Sequence, residues 1–172
     1  ENGVTMHLPI ANGSIDIIYS LKPNSYILDM DVKANNLEGF FPSNTKSMQI
    51  EWTEDMRQQE KGYDFETRYA TITYRDTTGD TQELSVTGSD AEEDEFEEKT
   101  EWIAYKTQFF SQIFIADSPF SINSMSSSQL EKGSGYLKTY QTSLTTAFDT
   151  KGIKPSSFHF YLGPNKFSTL AK

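Results

Sequence analysis

The feature that most constrains this chain is a run of large aromatic side chains near its middle, at residues 102–116. Its aromatic members are Trp102, Tyr105, Phe109, Phe110 and Phe114. Side chains of this size dominate the energetics of burial, and an exposed cluster of them would promote aggregation. Lysine, threonine, glutamine and serine interrupt the run, which makes it too short and too polar to span a bilayer. We therefore predict that it forms one or two strands buried in a core or an interface.

The bulk composition favours strands over helices. Hydrophobic residues make up 35% of the chain, below the roughly 45–50% of an average globular protein. A sandwich in which half of each strand faces water accounts for the difference. Aromatic residues make up 13% of the chain, and threonine and serine are abundant, which is typical of strands. With 172 residues, the chain is long enough for a substantial core, and we predict a single domain over residues 1–172.

Charge and cysteine content exclude several classes of function. The formal charge is −10, and an acidic domain repels nucleic acid backbones and anionic lipid head groups, so we predict no nucleic acid partner. Because the chain has no cysteine, it has no disulfide, thiolate nucleophile or thiolate metal ligand. It begins at Glu1 without a signal peptide or an apolar membrane-spanning run, so we expect a processed chain or an excised piece of a larger protein, and we favour the second.

Alternation of apolar and polar residues predicts an antiparallel all-β fold. The clearest example is residues 26–34, where every second residue from Tyr26 to Ala34 is apolar, as expected of a half-buried strand. Asp117 and Pro119 are predicted to turn the chain, and Pro164 to begin a short C-terminal helix over residues 165–172. The fold prediction is a two-sheet sandwich with that helix. The predicted strands are residues 4–8, 15–21, 26–34, 48–53, 70–75, 83–87, 102–116, 120–125, 135–144 and 157–162.

The most acidic segment, residues 90–98, has two readings. It could hold calcium or a cationic partner, or it could be a solvated loop kept open by self-repulsion. Its spacing lacks the glycine of an EF-hand loop. We favour the solvated loop.

Candidate catalytic groups are few. His7 and His159 each lie between apolar neighbours, and with a carboxylate they could bind a metal or move a proton on a sugar ring. The simpler reading, which we favour, is that both are half-exposed strand residues. No nucleophile elbow, phosphate loop or dinucleotide fingerprint is present. We therefore predict no enzyme activity, no catalytic or metal site and no cofactor.

Several segments resemble the large periplasmic domain of the YidC-type membrane protein insertases. Residues 102–117 read WIAYKTQFFSQIFIAD, residues 160–165 read FYLGPN, and the segments QEKG at residues 59–62 and VTMHLP at residues 4–9 follow the same order. The resemblance implies a β-supersandwich fold and a position on the periplasmic side of the bacterial inner membrane, between the first two transmembrane helices. The family domain is longer, so this chain resembles its C-terminal part.

The resemblance also implies a role. It implies a noncatalytic module that assists insertion and folding of inner-membrane proteins, while the transmembrane part performs insertion. Its implied partners are that transmembrane part, the accessory subunits of the Sec translocon and nascent membrane proteins. Its site residues would be the motif residues Trp102, Gln108, Phe109 and Phe110 and a membrane-proximal coupling formed by Gly163, Pro164, Phe167 and Leu170.

The alternative is a carbohydrate-binding or aldose-epimerase-like sandwich. In that case exposed aromatics such as Tyr19, Tyr105 or Tyr161 would stack on sugar rings. In either case, a sandwich that lacks its early strands should leave an edge or an apolar face uncovered. We expect self-association of such a chain, or a mobile uncovered face.

Overall fold

A computed structural model describes residues 2–84, 96 and 98–166 of the chain. This part forms ten strands and one short helix, which confirms the all-β prediction. The elements are β1 (Asn2–Ile10), β2 (Gly13–Leu21), β3 (Ile27–Asn35), β4 (Ser47–Arg57), α1 (Tyr63–Tyr69), β5 (Thr71–Asp76), β6 (Thr81–Glu83), β7 (Thr100–Lys106), β8 (Phe110–Gln129), β9 (Tyr136–Ala147) and β10 (Ser156–Pro164).

The strands form two antiparallel sheets that share one long strand. The large sheet has the order β1-β2-β3-β10-β8-β7-β5-β6, and the small sheet has the order β4-β9-β8. The first part of β8 pairs with β10 and β7, and from Ser121 onward β8 pairs with β9. The small sheet packs on the large one through Trp52 of β4, whose ring stacks on Tyr105 of β7 with 3.7 Å between centroids. The predicted two-sheet sandwich is therefore present.

The course of β8 corrects the predicted turn at Asp117 and Pro119. The strand continues through residues 117–119, which have no partner in any register: the β10 register ends at Ala116, the β7 register shifts from Ile115 to Phe120, and the β9 register begins at Ser121. Proline lacks an N–H, so it disrupts a strand only where a ladder bond is required. At the crossover between the sheets no such bond is lost. β8 also continues to Gln129, four residues beyond the end of the strand predicted at residues 120–125.

Several predicted boundaries also shift. β1 continues through Pro9 to Ile10, which an edge strand tolerates. β4 extends to Arg57, and α1 forms in a segment whose structure the sequence left open. The helix is anchored by Glu66, whose carboxylate accepts hydrogen bonds from the backbone N–H groups of Gln59 and Glu60.

The C-terminal prediction is wrong for the residues that can be compared. Pro164 ends β10 instead of beginning a helix, and Asn165 and Lys166 are not helical. The rest of the predicted helix, with Phe167 and Leu170, lies outside the described residues. So do residues 85–87 of a predicted strand and most of the acidic segment at residues 90–98.

The aromatic run divides between core and surface. Tyr105 and Phe114 are 0% and 1% exposed, which confirms the predicted burial for both, and Trp102 is half-buried. Phe109 and Phe110, by contrast, are 47% and 48% exposed. Phe109 lies in the tight connection between β7 and β8 and Phe110 begins β8, at an end of the sandwich where the described residues form no second layer over them.

The small sheet leaves part of the large sheet uncovered. Val4, Met6 and Leu8 of the edge strand β1 are 62%, 58% and 58% exposed. In the register they face residues of β2 that pack against the core, and cross-strand partners share a face. The inner apolar face therefore continues onto β1 with nothing above it in the described part of the chain.

Candidate functional site

The candidate site is the end of the large sheet at which β10 finishes. We call it the C-terminal rim and define it as residues 21–27, 58–70, 106–110 and 162–166. Antiparallel pairing brings these segments together: Tyr161 of β10 pairs with Ile27 of β3, and Pro164 pairs with Phe110 of β8. The first residue of β5, Thr71, pairs with Lys106 of β7, which places α1 at the same end.

Asn165 clamps the end of β10 to the connection between β7 and β8. Its backbone N–H donates to the carbonyl of Phe109 at 2.7 Å. Its side-chain amide donates to the carbonyls of Thr107 and Gln108 at 2.9 and 3.3 Å. Its amide oxygen accepts from the Ser111 hydroxyl. The backbone and side chain of Asn165 together thus satisfy polar groups at four positions, residues 107–109 and 111, and fix the direction in which the chain leaves the sheet.

A second set of contacts explains the Gly-Pro pair before the clamp. A Cβ on Gly163 would lie 2.8 Å from the Tyr161 hydroxyl and 3.0 Å from Cγ of Tyr26. Any larger residue at this position would therefore require one of the two tyrosine rings to shift. The Tyr161 hydroxyl in turn donates to the carbonyl of Pro164 at 2.7 Å. The rings of Tyr26 and Tyr161 thus pack against the last two residues of β10.

The turn that carries the exposed phenylalanines is itself rigidly bonded. The Thr107 N–H donates to the Phe110 carbonyl at 2.9 Å, and the Phe110 N–H donates to Oγ1 of Thr107 at 3.3 Å. The structure therefore brings Gln108, Phe109 and Phe110 of the predicted motif together with Gly163 and Pro164. Trp102 lies elsewhere, near the start of β7, opposite Ile115.

Sequence reasoning missed the residue that joins these parts. It assigned Asn165 to a helix, and Thr107 and Ser111 to an undifferentiated strand. Their roles depend on contacts between residues about 55 positions apart in the sequence. No local pattern indicates which strands pair over that distance. The nearest signal was the Gly-Pro pair, which marks where the strand must stop.

The two histidines lie on the outer face of the large sheet, each next to aspartate. His7 Nδ1 lies 2.6 Å from Asp16. His159 Nδ1 lies 2.6 Å from Asp29, and its Nε2 lies 2.8 Å from Asp117. Burial alone would lower the pKa of His159, but the hydrogen bonds and charges of the two aspartates outweigh it and raise the pKa. Both ring nitrogens can donate at once only in the charged imidazolium. The arrangement is thus a surface ion-pair cluster.

Among the described residues no group of three or more histidine and carboxylate side chains has the geometry to hold a metal ion.

The sugar-stacking hypothesis is wrong for two of its three tyrosines. Tyr105 and Tyr161 are 0% and 6% exposed, and Tyr19 is half-buried. A groove of about 590 Å³ opens at the other end of the sandwich, between the β3–β4 and β9–β10 connections. Its aromatic residues, Phe148 and Phe158, are buried, so neither ring is available for stacking.

None of the described residues belongs to a helix with the length and apolar character needed to cross a membrane.

Comparison with known proteins gives a consistent match over the whole chain. A family model for the YidC periplasmic domain matches residues 1–172. Over 171 residues, 99% of this chain, the sequence is 40% identical to proteins named membrane protein insertase YidC from Bacteroides fragilis and Phocaeicola vulgatus. It is 32% identical over 173 residues to the protein of the same name from Porphyromonas gingivalis. The chain spans 27% of the length of each of these relatives.

Proposed function

The chain belongs to the family of YidC periplasmic domains, and on that premise we propose that it is a noncatalytic periplasmic module of a membrane protein insertase. It lies on the periplasmic side of the bacterial inner membrane and assists insertion and folding of inner-membrane proteins. Insertion itself is the work of the transmembrane part of the same polypeptide. The module contributes a rigid body and a fixed attachment to that part.

One observation carries this proposal: the clamp of Asn165 on the β7–β8 connection. A flexible connection after β10 would allow the domain to move independently of the polypeptide that follows it. Here the last described strand is locked by four hydrogen bonds of Asn165 and by the packing of Tyr26 and Tyr161 around Gly163. Movement of the sandwich is therefore transmitted as far as Asn165. Gly163, Pro164, Phe167 and Leu170 form this coupling.

The partners follow from the same role. We assign contacts with Sec accessory subunits or nascent membrane proteins to the open edge of β1. An edge strand presents unpaired backbone groups that can accept another extended segment. Val4, Met6 and Leu8 supply an apolar surface beside that edge.

The test of the coupling is made in the full-length insertase, in cells depleted of the wild-type protein. We expect Asn165→Ala and Leu170→Pro to slow growth and membrane protein insertion, because each loosens the connection between sandwich and membrane part. Asn123→Ala is the matched control, since Asn123 is exposed and bonds Ser143 and Thr145 in the middle of the small sheet. Substitutions in residues 90–98 are a second control.

Equal growth of all these strains, with equal protein levels on immunoblots, would refute the coupling. A reduced level of the Asn165→Ala protein would instead show a folding defect. The Leu170→Pro variant then decides, because that position follows the last described strand in the sequence.

A further inference from the structure

The C-terminal rim carries an unusual concentration of exposed apolar side chains. Single exposed apolar residues are normal, but a group at one end of a molecule marks a contact surface. Eight large apolar side chains of the rim are between 40% and 51% exposed, and five of them are aromatic: Leu21, Tyr26, Ile27, Phe65, Tyr69, Phe109, Phe110 and Leu162. They extend from the end of β2 to α1 at the start of β5, five strand spacings or about 24 Å across. The surface is a broad rim and not a groove for one peptide.

Cations without partners are interspersed among these side chains. Lys22, Lys61, Arg68 and Lys166 lie in the rim, and none forms an ion pair with another described residue. Of the three acidic residues in the rim, Glu66 accepts backbone N–H groups and Asp64 pairs with Lys132 at 2.6 Å. Only Glu60 has an exposed carboxylate without an ion pair to another described residue, so the free cations outnumber the free carboxylates. Although the chain has a net charge of −10, this end presents available positive charge. Repulsion from more distant carboxylates is screened over about 10 Å at moderate salt.

Aromatic and aliphatic side chains with lysine and arginine beside them are characteristic of proteins that rest on a bilayer. The rings lie at the boundary of head groups and acyl chains, and the cations approach lipid phosphates. The rim is also the end from which the polypeptide leaves the sandwich through Asn165 and Lys166. If the proposed function is correct, the membrane lies on that side.

On the basis of that function, we propose that the C-terminal rim is a bilayer-contact surface. Phe109 and Phe110, held out by the Thr107 turn, enter the interface, and Lys22 and Lys166 bind lipid phosphate groups. The sandwich is thereby oriented on the membrane, with the β9–β10 connection and Ile153 pointing away from it.

The experiment measures partition of the 172-residue chain onto vesicles of phosphatidylcholine and phosphatidylglycerol, by flotation. We expect the wild type to float with the vesicles and to dissociate as salt is raised. The variant Phe109→Ser/Phe110→Ser should partition about tenfold less, since it removes two apolar anchors. The variant Lys22→Glu/Lys166→Glu should lose binding mainly on vesicles that contain phosphatidylglycerol.

The matched control is Phe40→Ser/Ile153→Ser. These side chains are 51% and 82% exposed and lie at the opposite end of the sandwich, so we expect wild-type partition. Urea unfolding of every variant verifies that all are folded to the same degree.

Three results would overturn the proposal. They are no flotation of the wild type, equal loss in the control variant, and self-association through Phe109 and Phe110 in place of lipid binding. In the first and third cases the insertase growth test still decides the proposed function separately. A defect of Asn165→Ala in cells with no lipid binding would keep the coupling and reject the bilayer contact.

Discussion

At the scale of single residues, His159 belongs to a charged cluster that strand pairing creates. Its partners are distant in the sequence, so the residues next to it do not indicate the cluster. Asp29 and Asp117 come from β3 and β8, the two neighbours of β10, and both carboxylates bond the same ring. Their effect raises the pKa of His159 above its ordinary value of 6.5. A group whose folded-state pKa is raised stabilises the fold fully below its unfolded-state pKa. That stability is lost as pH rises through the folded-state pKa.

The prediction concerns the difference in free energy of unfolding between the wild type and His159→Gln. It should be larger near pH 5 than near pH 8.5, on either side of the ordinary histidine pKa. The side chain is 35% exposed, so solvent screening keeps the change to about 1 kcal/mol or less. Urea unfolding at the two pH values measures it. In an Asp29→Asn/Asp117→Asn background the pH dependence of the difference should disappear, and its persistence there would contradict the assignment.

At the scale of elements, the end of β3 is approached closely by two glycines from different parts of the chain. A Cβ on Gly13, at the start of β2, would lie 2.1 Å from the Asn35 carbonyl oxygen. A Cβ on Gly152, in the β9–β10 connection, would lie 2.0 Å from the Ala34 carbonyl oxygen, and its φ is +72°. Backbone atoms cannot move aside as a flexible side chain can. These glycines therefore allow two connections to pack against one strand end.

We expect Gly13→Ala and Gly152→Ala each to lower the free energy of unfolding by about 2 kcal/mol or more. Gly133→Ala is the control: its φ is +95°, but nothing lies within 4 Å of a new Cβ. It should cost only the backbone strain, about 1 kcal/mol. Chemical denaturation of the three variants gives the order, and a larger loss at Gly133 would show that steric contact at β3 is unimportant.

The elements also show what the sequence could and could not predict. Period-two alternation identified β3 because one of its faces is buried and the other is solvated. The same reasoning divided β8 at Pro119, because proline is read as a local break, whereas its cost depends on whether a neighbouring strand needs its N–H. Helix α1 was not predicted because its anchor, Glu66, works through two backbone groups upstream and leaves no conventional capping residue.

The site was predictable in its parts but not in its assembly. The aromatic motif and the Gly-Pro pair were identified from residue types and from resemblance to a family. Their proximity depends on β10 pairing with β8, which brings Pro164 opposite Phe110. The exposure of Phe109 and Phe110 likewise follows from tertiary structure. Large aromatic side chains are expected to be buried, and only the fold shows that these two lie at the end of the sandwich.

At the scale of the whole molecule, the two sheets differ in their number of strands. The large sheet extends beyond the small one, and β1 is its outermost strand on that side. In the described part of the chain, eight strands form the large sheet and three form the small one, with β8 belonging to both. The outermost of these strands, β1, has nine residues, and no described residue pairs with its outer edge. Val4, Met6 and Leu8 on this strand are more than half exposed. Unpaired edge groups next to an apolar stripe favour pairing with another extended strand. Two copies of β1 can satisfy each other in antiparallel fashion, because the stripe is self-complementary about a two-fold axis.

We therefore expect the 172-residue chain to self-associate in solution, with a concentration-dependent sedimentation coefficient. Met6→Lys should raise the dissociation constant of the self-associated form by at least about tenfold. In the paired edges, the lysine charge of one copy would be buried beside the lysine charge of the other. Ile153→Lys, at an exposed apolar position far from β1, should leave the association unchanged. Analytical ultracentrifugation across a range of concentrations measures both. A wild type that sediments as a monomer throughout would mean that the twist of β1 or its Pro9 already protects the edge.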